Sequence, residues 1–414
     1  MLLYLRTLNI AMELKKFVDF DNLTNAFAAR TDEALKQAHF IFSTMQSPGL
    51  VKVGMALTEW ALNWGLPVKG IIKKTIFNLF CGGETLDGCQ RATNELAAFG
   101  IGAIFDYSVE GEKTEEGFDG SAQEIMRTID RASQYEFIRF SAFKITGLAH
   151  FDLLTKIHAG EKLTEKEVAA YERVKARVDM ICAEAKRKDV SVLIDAEETW
   201  IQKPVTDITS AMMAKYNTEK ALIFYTFQMY THSMLGHLEE FHADAKEKGY
   251  RLGAKLVRGA YMEKEAARAE EMGYENPIQP NKEATDRDFD AATEYCIQYI
   301  EDIGLFAGSH NEKSNYLVTL YMEKYGLPRD DRRVYFGQLY GMSDHISFNL
   351  ADAGYNVIKY VPYGPIKATI PYLMRRANEN TSVKGQSSRE LTLIKKELKR
   401  RKGGRKEFAH QDKF

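Results

Sequence analysis

The sequence predicts a (β/α)8 barrel, and three observations carry that prediction. After Gly100, eight short β-rich runs alternate with longer amphipathic, charged segments, and such alternation argues for parallel β/α units. Eight units over roughly 250 residues match the count and size of a closed barrel. Each run is also apolar in its body and polar at its end, as strands are when they deliver polar groups to one mouth. An open doubly wound sheet is the alternative architecture, and strands simply entering loops also end in polar residues.

The elements follow in order. The opening MLLYLRTLNIAMELKK has an apolar run too short to span a bilayer and interrupted by Arg6, and Glu13 argues against a transit peptide. From Asp21 to about residue 98 the pattern is helical. DEALKQAHFIFSTM and LVKVGMALTEWALNWG carry apolar residues at three-and-four spacing, divided by SPG and followed by the CGG turn. Residues 1–98 are therefore read as a helical N-terminal arm. The strand runs are then GAIFDYS, FIRFSAFKIT, VSVLIDAEE, ALIFYTF, RLGAKLVRG, GLFAGSH, RVYFGQL and YNVIKYVP. They deliver Asp106, Lys144, Asp195, Gln228, Arg258, His310, Gln338 and Tyr360 to their ends. Residues 99–388 are read as the barrel domain. Residues 389–414 are a basic tail containing KKELKRRKGGRK, whose cations suit anionic lipid as well as plain solvent.

Composition narrows the function. With 414 residues, 45% of them hydrophobic and 28% charged, the chain can bury a full core. Its 56 Lys and Arg balance 58 Asp and Glu, so no nucleic acid is expected as a partner. Cys81, Cys89, Cys182 and Cys296 form no CxxC pair and are read as reduced core thiols, not as a disulfide framework or a metal site. Gly100 and Gly102 begin a GxG, but Phe105 stands where a third glycine would be needed, so the dinucleotide fingerprint fails. His237 and His242 in HLEEFH are five apart, on different sides of a helix, and read as an ordinary surface helix with no metal bound.

Two stretches carry chemistry. In GAKLVRGAYMEKE, Lys255 and Arg258 can meet an anion or an electron-rich ring, Gly259 and Ala260 leave space for a flat ring, and Tyr261 can stack. In PYLMRRANENTSV, Arg375 and Arg376 diverge by about 100° on a helix, so they share a target only if that helix lies over a cavity. Two guanidinium forks would then hold a small carboxylate rigidly. The plainer readings are a turn with a solvated cation and an exposed Arg375 paired with Glu379.

KLVRGAYMEKE and YLMRRANENTSV, with GYENPIQPNKEATD and FGQLYGMSDHI between them, resemble proline dehydrogenase, a flavoenzyme family of proline catabolism. The resemblance runs over about residues 96 to 385 and is closer to the single-function enzymes. It implies a distorted (β/α)8 barrel with FAD at the C-terminal mouth and L-proline against the flavin. Arg375 and Arg376 would bind the proline carboxylate with Lys144. Tyr360 and Leu339 would wall its ring, and Asp195 would support the site. Gln228, Lys255, Arg258, Gly259, Ala260, Tyr261, Lys282, Thr285, His310 and Glu379 would contact or frame the cofactor. Lys255 stands where many bacterial relatives have arginine. The implied reaction is hydride transfer from proline to FAD, giving 1-pyrroline-5-carboxylate, with a quinone as final acceptor. The implied location is cytoplasmic, with peripheral contact on the inner membrane, mitochondrial in a eukaryote, as the secondary expectation. Hydroxyproline oxidation is the near alternative. A barrel without flavin that turns over or merely binds a small carboxylic acid is the distant one.

Overall fold

The computed structural model describes residues 17–47, 68–107, 113–135, 139–382 and 386–411, with single positions between 49 and 64. Eight parallel strands hydrogen-bond in chain order into a closed barrel. They are β1 Ile101–Tyr107, β2 Phe140–Lys144, β3 Ser191–Asp195, β4 Ile223–Gln228, β5 Leu252–Val257, β6 Ile303–Gly308, β7 Val334–Leu339 and β8 Val357–Tyr363. The ring closes where β8 pairs with β1, Tyr360 opposite Ile104. The eight expected runs are these eight strands.

Alternate residues of each strand face the axis, and Ile104, Phe140, Ala142, Leu193, Phe224, Phe306, Ile358 and Tyr360 make a packed interior. Glycines on adjacent strands give its rings room. A Cβ at Gly337 would lie 2.3 Å from the Phe306 ring, and one at Gly253 2.9 Å from that of Phe224. The interior is thus filled by large residues against absent side chains, at close-packed density.

A larger core lies between strands and outer helices. The helix Glu165–Lys188 is representative: Val174, Val178, Ile181, Cys182 and Ala185 form its buried stripe. It starts at a capping box between Thr164 and Glu167, and its last turn holds Lys186, Arg187 and Lys188 before Asp189 turns left-handed at φ 53°. All four cysteines are buried free thiols.

Arm, barrel and tail are joined. The Gly82 N–H donates to the Pro362 carbonyl at 2.9 Å and the Gly364 N–H to the Gly83 carbonyl at 3.2 Å, which stitches the CGG turn to the end of β8. The tail is a helix, Gln386–Gln411. Its Leu391, Leu393 and Ile394 share one core with Leu35, Ile41 and Phe42 of the arm helix Asp32–Met45. Arg401 donates to the carbonyls of Phe27 and Arg30 and to Asp32 at 2.8–2.9 Å. The basic segment therefore carries an apolar stripe that docks it, so Arg401 is a structural cation and not a solvated one.

The reading of HLEEFH as surface also needs correction. His242 is buried, with Nδ1 2.9 Å from the Tyr295 hydroxyl, and half-buried His237 lies among the rings of Tyr225, Phe227 and Phe241. The two imidazoles serve separate packing contacts.

Candidate active site at the barrel mouth

Strand register decides which polar ends meet. Lys144 pairs with Asp195 at the C-terminal ends of β2 and β3, Thr226 with Lys255 in the second halves of β4 and β5, and Leu339 at the end of β7 with Tyr360 in the middle of β8. Lys144, Asp195, Lys255 and Tyr360 share the parity of interior residues such as Ala142, Leu193 and Ile358, so they face the axis. The buried Lys255 ammonium donates to Asp195 Oδ1 and to the Tyr360 hydroxyl, both at 2.5 Å, and lies 4.5 Å from the centre of the Tyr360 ring. Burial, reinforced by Asp195 and Asp106, holds the Tyr360 phenol well above its ordinary pKa, so it stays neutral.

On one side of this trio stands a carboxylate that the sequence did not single out. Glu197 is buried and accepts the Thr146 N–H at 3.2 Å and the Thr146 hydroxyl at 2.5 Å. Burial pushes its carboxyl up to about 7, against the pull of Lys144 and Thr146. Gln228 donates to the Glu197 carbonyl at 2.7 Å. Half-buried Tyr261 completes the group: burial raises its phenol while nearby Lys144 and Arg375 lower it.

On the other side is His310. Burial first, then the charges of Lys359 and Arg376, push its imidazole down to about 3, so it is neutral. Arg376 is itself buried, its guanidinium 5.3 Å from the centre of the Tyr372 ring. The helix Ile366–Ser382 thus holds Arg375 within electrostatic reach of Tyr261 and Arg376 within that of His310. That divergence is what neighbouring helical positions give when the helix lies over the mouth.

Not every expected residue joins the centre. Arg258 lies on the rim, donating to Asp286 at 2.7 Å, Ser309 at 2.8 Å and Ser314 at 2.9 Å, with its guanidinium 4.5 Å from the centre of the Phe289 ring. Lys282 reaches the same Asp286 at 2.5 Å, and buried Thr285 follows in the first turn of the helix Lys282–Gln298. Gly259 has φ 134°, and a Cβ there would lie 2.5 Å from the Tyr230 ring; Ala260 beside it is exposed. Gln338, expected at the mouth, faces outward instead, bonded to the Ser309 carbonyl at 3.1 Å and the Ser347 hydroxyl at 2.9 Å. It is one residue out of phase with Leu339, and strands reverse face at every residue. The Glu379 side chain lies outside the described residues.

A second ionic cluster behind the mouth was also not anticipated. Buried Lys359 donates to Asp344 at 2.9 Å and to the Met342 carbonyl at 2.5 Å, and Arg30 of the arm reaches the same carboxylate with two nitrogens at 2.9 and 3.1 Å. Burial alone would raise the Asp344 carboxyl, but Lys359 and Arg30 hold it well below the usual range. The available signal was a lone lysine inside the apolar run YNVIKYVP, since an ammonium at an outward, helix-covered position must find acceptors.

Fold and mouth together define a parallel (β/α)8 barrel whose ionisable side chains converge at the C-terminal ends of its strands, under a capping helix. The family model described as proline dehydrogenase matches residues 89–389, and the chain belongs to that family. The mitochondrial proline dehydrogenase 1 of Dictyostelium discoideum is 34% identical over 379 residues, covering 81% of this chain and 66% of that protein. The carbapenem antibiotics biosynthesis protein CarD of Pectobacterium carotovorum subsp. carotovorum is 33% identical over 335 residues, covering 80% of this chain and 86% of that one. Among solved structures, proline utilization A from Bdellovibrio bacteriovorus, inactivated by N-propargylglycine, superposes with a TM-score of 0.67 at 21% identity. That likeness of fold covers 87% of this chain and 38% of the other.

Proposed function

We propose that this chain oxidises L-proline to 1-pyrroline-5-carboxylate, with FAD as cofactor and a quinone as the acceptor of its electrons. The observation that carries this reading is the pair Arg375 and Arg376 on a helix over the barrel mouth, flanking Lys144 and the Asp195–Lys255–Tyr360 trio, in a chain of the proline dehydrogenase family.

Arg375, Arg376 and Lys144 bind the substrate carboxylate through charge-assisted hydrogen bonds. The same cations, with Lys255, disfavour a positive charge on the nearby secondary amine and so keep it in the neutral form that hydride loss requires. Tyr360 and Leu339 wall the ring and exclude water from the reacting carbon. Asp195 fixes Lys255 and Tyr360 by accepting from both, the phenol at 3.5 Å.

The residues present fit a flavin. Gly259 has no room for a side chain, and exposed Ala260 after it leaves a strip of backbone open to a flat ring beside the donors Lys255 and Gln228. Tyr261 and neutral His310 frame that strip. Lys282 and Thr285 at the start of the helix Lys282–Gln298, with Arg258 after β5 reaching Asp286 of that helix, suit the anionic diphosphate end. When bound, FAD supplies the acceptor for the hydride leaving proline C5. A membrane quinone as final acceptor accords with peripheral contact on anionic lipid through the exposed Lys395, Lys396 and Lys399. Such contact would take place at the inner membrane.

The test is anaerobic titration of the purified protein with L-proline. Bleaching of a flavin absorbance, with 1-pyrroline-5-carboxylate formed in equal amount, is the expected result. A protein that carries no flavin, or whose flavin L-proline leaves oxidised, overturns the reading.

A further inference from the structure

We propose that Glu390, on the C-terminal helix, is a positioning residue for the barrel mouth, acting through Ser343 on His310. The inference rests on the reading of His310 as a residue that frames the cofactor.

The chain of contacts is short and buried. Glu390 is 4% exposed and accepts the Ser343 backbone N–H at 2.5 Å. Ser343 holds a left-handed backbone, φ 52° and ψ 41°, a conformation that costs a non-glycine residue energy and persists only where its surroundings impose it. Those surroundings are Glu390 on the N–H and Ser347 on the carbonyl, whose own N–H donates at 3.1 Å. In this conformation the Ser343 hydroxyl lies 2.9 Å from His310 Nδ1, while His310 Nε2 accepts the Leu339 N–H at 3.4 Å. With Nε2 as acceptor, the proton of the neutral ring is on Nδ1 and is donated to Ser343. Glu390 therefore fixes the backbone that fixes the tautomer and orientation of a ring at the mouth.

The charges around Glu390 come from four directions. His345 Nδ1 lies 3.9 Å from its Oε1, and His345 Nε2 meets Glu312 at 3.0 Å. Glu312 also takes Arg389 at 2.7 Å. Lys359 on β8 and Arg30 of the arm converge on Asp344 next to Ser343. A helix that the sequence presents as a basic tail thus inserts the buried acid Glu390 near the mouth, in the neighbourhood of His345, Arg389, Lys359 and Arg30, at a point where the Ser343 backbone amide donates to it directly.

Three variants test this. Glu390→Ala removes the acceptor, Glu390→Gln keeps an acceptor oxygen without charge, and Leu393→Ala weakens the same helix at a site away from Ser343. The expected result is a five- to tenfold faster FAD dissociation and an altered flavin spectrum in Glu390→Ala, values within twofold of wild type in Glu390→Gln, and a lowered Tm with unchanged flavin binding in Leu393→Ala. Equal flavin dissociation in Glu390→Ala and Leu393→Ala at matched loss of Tm overturns the proposal, because the helix would then act only as packing. Should Glu390→Ala fail to fold, Ser343→Gly serves: it relieves the backbone strain yet deletes the hydroxyl, so Tm holds while FAD leaves five- to tenfold faster. Wild-type dissociation in Ser343→Gly overturns the proposal equally. The 15N signals of the His310 imidazole in cofactor-free protein give a readout that needs no flavin: Nδ1-protonated in wild type, mixed in Ser343→Gly. An unchanged tautomer counts against Glu390, whereas a wild type that takes up no FAD counts against the flavin reading.

Discussion

Lys255 and Tyr360 meet across the barrel axis: the ammonium from β5 donates to the phenol from β8 at 2.5 Å and lies 4.5 Å from the centre of its ring. Three strand positions separate the two, so only closure of the barrel brings them together. The aromatic wall of the candidate site and its central cation are therefore one unit, with Asp195 as the shared acceptor.

That coupling predicts the behaviour of Tyr360 variants. Tyr360→Phe keeps the wall and removes one acceptor from a buried ammonium. A hydrogen bond to a charged group is worth about 1.5–3 kcal/mol, so kcat/KM for L-proline should fall about tenfold or more. Tyr360→Ser should in addition narrow the preference for L-proline over trans-4-hydroxyproline, because the phenol fills the space that a 4-hydroxyl needs. Equal specificity constants for the two substrates in the unmutated enzyme would sink the idea.

Arg375→Met and Arg376→Met should each lower kcat/KM for L-proline by about ten- to hundredfold, the loss of one charge-assisted interaction. Lysine at either position should rescue only in part, since a point charge does not reproduce the fork. Buried Arg376 also rests on Tyr372, so its variant should lower Tm more than that of Arg375. Steady-state kinetics with flavin occupancy measured alongside decides: wild-type kcat/KM in both variants means that the carboxylate is held elsewhere.

Glu197 should leave a mark on stability against pH. Its carboxyl is raised by burial from 4.5 to about 7, so between those values the folded chain keeps a proton that the unfolded chain has released. The stability that this contributes is fully present below 4.5 and is lost as pH rises through 7. Glu197→Gln imitates the protonated form, so its Tm should match wild type at pH 4.5 and exceed it by a few degrees at pH 8. His310, depressed to about 3, makes both proteins less stable as pH falls below 6.5, and this cancels in the comparison. The same Tm difference at both pH values would rule out the raised carboxyl.

The membrane contact is best tested by charge reversal and not by truncation. Removing residues 391–414 would take Leu391, Leu393 and Ile394 out of the core shared with the arm, and so would confuse docking with unfolding. Lys395, Lys396 and Lys399 are exposed, and changing all three to Glu should reduce co-sedimentation with anionic vesicles several-fold without slowing anaerobic flavin reduction by L-proline. Salt should imitate the change in wild type, since such attraction is screened within about 10 Å at 0.1 M. Equal co-sedimentation of the two proteins rejects this surface.

The sequence by itself determined the barrel, because alternation of β-rich and amphipathic segments is a local property that each stretch states independently. It also showed that Arg375 and Arg376 must diverge, since adjacency and helical pitch fix how two neighbours point, but not what they point at. Strand parity decided what those local patterns left open. Gln338 and Leu339 both end an apolar run, and only the register of β7 against β8 turns the leucine inward and the glutamine out. Longer-range partners were beyond reach for the same reason. Glu197 becomes a buried, proton-holding carboxyl because the closed fold takes it out of water, a shift that Lys144 and Thr146 at the β2 end oppose, and Glu390 becomes a buried acid because its helix folds back over the arm and onto Ser343. Periodicity shows that a residue is on a face; which charges and hydroxyls that face meets depends on contacts between segments far apart in the chain, and only the closed structure sets those distances.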